Sequence, residues 1–403
     1  MIPITRPSLP PLPEYTALLE RIWESRMLSN FAECASALEA LAADYLGAKY
    51  VLSVSSGDVA LILALRALQL RPKTRVLVPS FTFNSTVNAI LWNDLRPVFI
   101  DIDPETLNID PADAATRLDG AGAILATHVF GNPAPVDELA RLAGGTGARL
   151  VFDAAHGYGT LRRGKHAGTF GDAEVFSLSG TKPVTSAEGG FFATSSGELA
   201  ERFRYLRAYG FQYDYHSRFI GLNGKLSELH AALGLLTVVR IEDALAVRRV
   251  HVDHYLDRLA AVPGVTFQRV SPEDRSTYKD FAILFETGEQ RYLAEAALKA
   301  AEVQTKRYFR PCHEMEAYRA YADRPLPVTE SIYRRVLCLP LFEELTADQV
   351  EFICDIVEAA ASPAAGRAAG LAAAGKPSPA PAVRRQSAVD PVGRGAAATA
   401  RKP

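Results

Sequence analysis

The sequence predicts an α/β protein: a mostly parallel sheet sandwiched by helices, followed by a smaller C-terminal α/β domain. Two observations carry this. From residue 49 onward, short apolar runs alternate with amphipathic helical stretches, the pattern of strands buried on both faces. The residues able to do chemistry stand at the ends of those runs, where open parallel sheets bind their ligands.

In chain order, the first 30 residues are proline-rich and then helical, and a second helical stretch carries Leu38, Leu41 and Tyr45 on one face. The predicted strands are Tyr50–Ser53, Arg75–Val78, Pro97–Ile100, Ala123–Thr127, Arg149–Asp153, Ala173–Ser177 and Gly190–Thr194. Helical periodicity fills Asp58–Leu68 and Pro135–Leu142 between them, as parallel strands require. One long helical region is expected from about Lys225 to Leu259, with Leu226, Leu229, Leu233 and Leu236 on a stripe. The expected division is residues 1–240 for an N-terminal arm and large domain, and 241–361 for the smaller domain. Ser362 to Pro403 is Ala-, Pro-, Gly- and Arg-rich, with seven Lys or Arg and one acid, Asp390. It lacks the apolar side chains for a core, so a disordered, dispensable tail is expected.

Composition narrows the function. The chain has 403 residues, 48% hydrophobic and 22% charged, enough for two packed domains. A formal net charge of −2 gives no basic bias toward nucleic acid or an anionic membrane. There is no apolar run of 18 residues, and Met-Ile-Pro-Ile-Thr-Arg has no signal-peptide core, so a cytoplasmic protein is expected. Cys34, Cys312, Cys338 and Cys354 are scattered. They read as reduced thiols, and no metal site is expected.

The most informative segment is Phe176-Ser-Leu-Ser-Gly-Thr-Lys182, followed by Glu188-Gly-Gly190. An apolar run ends in small hydroxylated residues and then a lysine, which sets that lysine at the mouth of a sheet. Upstream, Val151-Phe-Asp-Ala-Ala-His156 is a strand ending on a carboxylate, with an imidazole three residues later. Pyridoxal phosphate enzymes need such a pair: a lysine to form an imine with the cofactor aldehyde, and a carboxylate to face the pyridinium nitrogen.

Taken together with Ser55-Ser-Gly-Asp-Val-Ala-Leu61, Val78-Pro-Ser-Phe-Thr-Phe-Asn84, Pro97-Val-Phe-Ile-Asp-Ile-Asp103 and Gly221-Leu-Asn-Gly-Lys-Leu-Ser-Glu228, these segments resemble the DegT/StrS family of sugar aminotransferases, of fold-type-I architecture. The resemblance runs over roughly residues 5 to 360. It implies a homodimer with active sites at the subunit interface. It also implies amino transfer from glutamate, or glutamine, to a keto sugar that is usually nucleotide-linked. Carried onto this chain, it makes Lys182 the lysine that holds pyridoxal phosphate and Asp153 the partner of the ring nitrogen. His156 would contact the ring hydroxyl, and Phe83 would stack on the ring face. Gly57, Asp58 and Ser177 would hold the phosphate, with Asn223 reaching the phosphate of the partner subunit.

Two departures stand out. Asp58 occupies a position where the family usually has Thr, so its carboxylate is expected to cap the helix or turn to solvent, leaving the backbone to bind the anion. Lys225 stands where an arginine is common; it keeps the charge but not the planar fork. Relatives that dehydrate sugars carry histidine in place of the lysine, and Lys182 argues against that branch. A keto-cyclitol acceptor, the same cofactor used for dehydration or an aldol-type cleavage, and a non-catalytic regulatory homologue are the competing readings.

Overall fold

The computed structural model describes residues 1–211 and 214–361; the tail expected from 362 onward lies outside the described residues. The large sheet comprises β1 (Tyr50–Val54), β2 (Arg75–Pro79), β3 (Arg96–Ile100), β4 (Ala121–Thr127), β5 (Arg149–Asp153), β6 (Ala173–Ser177) and β7 (Gly190–Thr194). Its order is β1-β7-β6-β5-β4-β2-β3. Every pairing from β6 to β3 is parallel, and β7 alone runs against its neighbours. The helices are α1 (Leu12–Ser25), α2 (Glu33–Leu46), α3 (Gly57–Ala67), α4 (Asn84–Trp92), α5 (Pro111–Arg117), α6 (Val136–Thr146), α7 (Gly197–Leu206), α8 (Glu228–Val238), α9 (Ile241–Leu259), α10 (Gly288–Ala300), α11 (Pro327–Arg335) and α12 (Ala347–Ala361).

Strand alternation sends side chains to two cores. Leu52, Val54, Val76, Val78 and Val151 pack with α3, α4 and α7. Their sequence neighbours face the other way: Val51 meets α2 and α8, while Leu77 and Phe152 meet α5 and α6. Both faces are covered, which is why the strands read as continuous apolar runs.

The expected long helix is two helices. Ser227 caps α8, its hydroxyl accepting from His230 N at 3.3 Å, so Lys225 and Leu226 lie in the preceding loop. The chain breaks at Val239 and Arg240 before α9. The buried face of α8 carries Ala231, Ala232, Leu235, Leu236 and Val238, with Leu229 and Leu233 only partly covered. Glu228 is buried in the first turn of α8. Its carboxylate accepts from Cys34 N at 2.7 Å and Ala35 N at 3.3 Å, capping α2, whose own N-cap Ala32 has no side chain to do so.

A second sheet, β8 (Val265–Phe267), β9 (Phe281–Phe285) and β10 (Val336–Leu339), is wholly antiparallel. One of its faces (Phe281, Ile283, Phe285, Leu337, Leu339) packs on residues of α9, α10 and α12. The other (Ala282, Leu284, Val336, Cys338) packs on Phe81, Ile102, Val129 and Phe130, which follow the carboxyl ends of β2, β3 and β4. The small sheet is thereby fixed over the strand ends of the large one. Ile2 pairs with Val303 and is buried among residues of the C-terminal core, so the first residues tie to that part of the chain.

Removing the Glu228 carboxylate leaves two N–H groups of α2 unpaired in the interior. Glu228→Ala should lower unfolding free energy by on the order of 2–3 kcal/mol, measured by urea denaturation. A loss within a few tenths of a kcal/mol would show that α2 needs no such cap.

Candidate active site

The site forms where β1, β5 and β6 end. Val54 and Ser177 both pair with Gly190, the first residue of β7. A Cβ on Gly190 would stand 2.8 Å from Phe176 O, 2.8 Å from Ser56 O and 2.9 Å from Gly57 N. Only glycine lets the start of α3 lie this close to β6. Gly57 is equally tight: a Cβ there would come within 3.0 Å of the Ser177 Cβ. Thus two of the residues expected at a phosphate, Gly57 and Ser177, are brought together by backbone contact.

Ser56 caps α3, its hydroxyl accepting from Val59 N at 3.1 Å. Asp58 is therefore not the cap; it occupies the second helical position and is exposed, the other of its two expected outcomes. The N–H groups of Gly57 and Asp58 have no protein acceptor among the described residues. Free N–H groups at a helix start are an anion site.

Asp153 ends β5 and is 3% exposed. Its Oδ2 accepts from Thr86 Oγ1 at 2.6 Å and its Oδ1 from Ala155 N at 3.0 Å. No helix follows it, so it caps nothing. Burial raises its pKa, opposed by the Thr86 hydroxyl, the Ala155 N–H and Lys182. Thr86 belongs to a hydroxyl chain through Thr82 to Thr127, with links of 2.8 and 2.9 Å. A buried carboxylate with donors on both oxygens is oriented and in want of a cation.

His156 packs with Phe130 and Phe309 in a cluster of three rings, at ring distances of 6.3 and 5.9 Å, the two phenylalanines themselves being 5.4 Å apart. Its Nδ1 is buried without a hydrogen-bond partner. Burial, then the charges of Lys182, Lys279 and Lys306, holds the imidazole well below its ordinary pKa, so it is neutral and has a ring nitrogen to offer. Phe83, the N-cap of α4, is 51% exposed and so is not part of the core.

Lys182 follows a turn in which its N–H donates to Ser179 O at 3.0 Å. Burial, reinforced by the neighbouring Lys279 ammonium, lowers its pKa to about 7; Asp280 and Asp153 oppose the shift. At neutral pH the amine is thus substantially unprotonated, the form able to attack a carbonyl. Asn223 is exposed on a loop tied to β1 through Ser55 N donating to Gly224 O at 2.9 Å. Its backbone pairs with Ala208.

Sequence reasoning missed Thr86, Lys279, Asp280 and Lys306. Thr86 lies three residues beyond Phe83, one helical turn on, and two residues past the Val78–Asn84 motif. Lys279-Asp280 is a charged pair directly before the fully apolar β9, a signal that was available but unread.

The donor set fits pyridoxal phosphate: unengaged helix N–H groups, an oriented buried carboxylate, an orphaned imidazole nitrogen and a lysine of lowered pKa. Fold and site define a pyridoxal-phosphate-dependent aminotransferase. The chain belongs to the DegT/DnrJ/EryC1/StrS aminotransferase family, whose model matches residues 13–358. It is 31% identical to the dTDP-4-amino-4,6-dideoxy-D-glucose transaminase of Escherichia coli, over 87% of this chain and 96% of that protein. It is 30% identical to the GDP-perosamine synthase of Escherichia coli O157:H7, over 77% and 85%. A crystal structure of DesI in the presence of its TDP-sugar product superposes with a TM-score of 0.85 at 33% identity, covering 91% of this chain and 94% of that one. The crystal structure of S. venezuelae DesV in complex with a ketimine intermediate gives 0.83 at 29% identity, covering 87% and 95%.

The lowered pKa of Lys182 has a measurable sign. From about pH 7 upward the folded chain holds this amine increasingly neutral, while the unfolded chain keeps it protonated until near its model value of 10.5. The unfolded state binds more protons, so stability rises with pH across that window. Urea unfolding of the cofactor-free protein should show a gain between pH 7 and 9 that exceeds that of Lys182→Met by on the order of 1–2 kcal/mol. Parallel curves would place the amine in solvent.

Proposed function

We propose that this enzyme transfers an amino group from glutamate, or glutamine, to a nucleotide-linked keto-deoxy sugar. The observation that carries the reading is the match to sugar-nucleotide transaminases over 87% and 77% of the chain, together with the group formed by Asp153, Lys182 and His156. When bound, pyridoxal phosphate supplies an aldehyde carbon and an electron-withdrawing ring. The rest is the work of this chain. Lys182 would hold the cofactor through its amine and, once freed by the donor, would be the base that moves the proton between the substrate carbon and the cofactor. Asp153, aimed by Thr86, would keep the ring nitrogen protonated. His156 Nδ1 would be available to the ring hydroxyl, and Phe83 to a ring face. The N–H groups of Gly57 and Asp58, with the Ser177 hydroxyl, would hold the phosphate.

In the same reading the protein is a cytoplasmic homodimer, and the exposed Asn223 of each subunit completes the phosphate site of the other. No described helix is long and apolar enough to cross a membrane. The division into a large domain, ending near 240, and a smaller one to 361 is consistent with the break at Arg240 between α8 and α9.

Two measurements test this. Borohydride reduction followed by peptide mapping should leave the pyridoxyl group on Lys182, and a label on another lysine refutes the assignment. Incubation with glutamate should convert the enzyme to its pyridoxamine form, and a panel of dTDP-, UDP- and GDP-linked 4-keto and 3-keto sugars should then restore the starting spectrum. Restoration by free keto-cyclitols alone would overturn the nucleotide-sugar assignment.

Asp58 gives a further outcome. Its carboxylate is exposed at the start of α3 and does not serve as the cap, so it adds only a like charge beside the phosphate. Asp58→Thr should tighten pyridoxal phosphate binding a few-fold at low salt, with a smaller gain at high salt. Weaker binding in an equilibrium titration would assign Asp58 a positive role.

A further inference from the structure

Lys279 and Asp280 lie at the mouth of β9 and are 3% and 4% exposed. The Lys279 ammonium reaches both Asp280 oxygens at 3.0 Å. Lys279 N donates to Phe130 O at 2.9 Å, and two residues earlier Thr277 Oγ1 donates to His156 O at 2.6 Å. From the other side Lys306, on the segment that leads to Phe309 and its stack with His156, pairs with Cys338 of β10. Its ammonium sits 5.0 Å over the Tyr308 ring and has no hydrogen-bond acceptor among the described residues. The buried Arg248 reaches the Tyr278 and Lys279 carbonyls at 2.7 and 2.9 Å and the Leu341 carbonyl at 3.1 Å. It fixes the segment without bringing a negative charge.

The balance of charge is the point. Asp280 is a single carboxylate, and both its oxygens are already held by Lys279. Lys306 is left as an unmatched cation against the wall that carries His156, near Lys182. Lys306 is half-buried with no acceptor of its own among the described residues, so its ammonium is open to an anionic ligand. We propose that Lys306, braced by the Lys279–Asp280 pair, binds the α-carboxylate of the amino-acid donor. This rests on the transaminase reading of the site.

Two arguments select that anion. In an amino acid the carboxylate and the amine share one carbon, so a donor whose nitrogen reaches the Lys182 position must set its carboxylate within a few ångströms of it. The diphosphate of a sugar nucleotide is separated from the reacting carbon by the width of a pyranose ring and lies farther out. Lys225, the other cation placed by the family pattern, is engaged elsewhere in its own chain: its Nζ donates to Asn30 Oδ1 at 2.6 Å and lies 5.0 Å over Tyr209.

The test uses the holoenzyme and the donor half-reaction, which needs no acceptor. A wrong acceptor assignment therefore leaves it intact. Lys306→Met should raise the half-saturating glutamate concentration at least about tenfold. It should weaken binding of α-methylglutamate, read from the cofactor spectrum, by a similar factor. Lys306→Arg should restore most of both. The slow reaction with 4-aminobutyrate, which lacks the α-carboxylate, should be unchanged by either substitution, and so should cofactor content. The proposal is overturned if glutamate and α-methylglutamate bind Lys306→Met as they bind the parent, or if 4-aminobutyrate suffers equally. It is also overturned if only the KM for the sugar nucleotide rises, which would assign the lysine to the diphosphate.

Discussion

The close approach at Gly190 is the constraint on which the site depends. One antiparallel strand, β7, is inserted into an otherwise parallel sheet between β1 and β6. Its first residue must pass beneath the start of α3 with no room for a side chain. That contact sets the free N–H groups of α3 beside Ser177 and fixes the level at which the loop carrying Lys182 leaves β6. The same loop is held by Leu178 N donating to Gly189 O and by the Thr185 hydroxyl donating to Leu178 O. Anion site and lysine are therefore positioned by one piece of backbone.

A second constraint is the apolar seam between the two sheets. Ala282, Leu284, Val336 and Cys338 are small or medium-sized, and they meet Phe81, Phe130 and Phe309. This seam places Lys279, Asp280 and Lys306 against His156 and Lys182. Charges cannot gather in such a setting unless the backbone around them is rigid. Here the rigidity comes from aromatic packing on one side and from the Arg248 clamp on the other.

The large sheet was legible in the sequence because its strands are buried on both faces and bounded by polar turns. All seven expected strands are present, with ends shifted by at most two residues. The helix predicted from 225 to 259 was misread because apolar periodicity continues across its break. What ends α8 at Val238 is local geometry at Val239 and Arg240, with the Arg240 side chain turned back to the Leu236 carbonyl at 2.5 Å; hydrophobic pattern does not encode that. Residues in β5, β6 and their loops were legible as site candidates because one chain segment carries each of them. Thr86 and Lys306 were not, because their relevance arises only when segments more than 60 residues apart meet.

The electrostatics of the cleft are divided, and the division suits amino transfer. On one side Asp153 is a buried carboxylate whose pKa burial raises, so it gains most from a cation placed beside it. On the other side Lys279 and Lys306 outnumber Asp280, whose own pKa falls despite its burial because of those lysines. Lys182 lies between, drawn toward ionisation by the acids and away from it by the lysines and by burial. A protonated ring nitrogen relieves the first side and a carboxylate relieves the second. Both can be satisfied together only by a ligand carrying a cation at one end and an anion at the other, across the position of the Lys182 amine. A cofactor ring joined to an amino acid has that polarity, so the buried charges of the protein match the joined reactants better than either partner alone. That is the arrangement expected where binding energy is directed to the reacting complex.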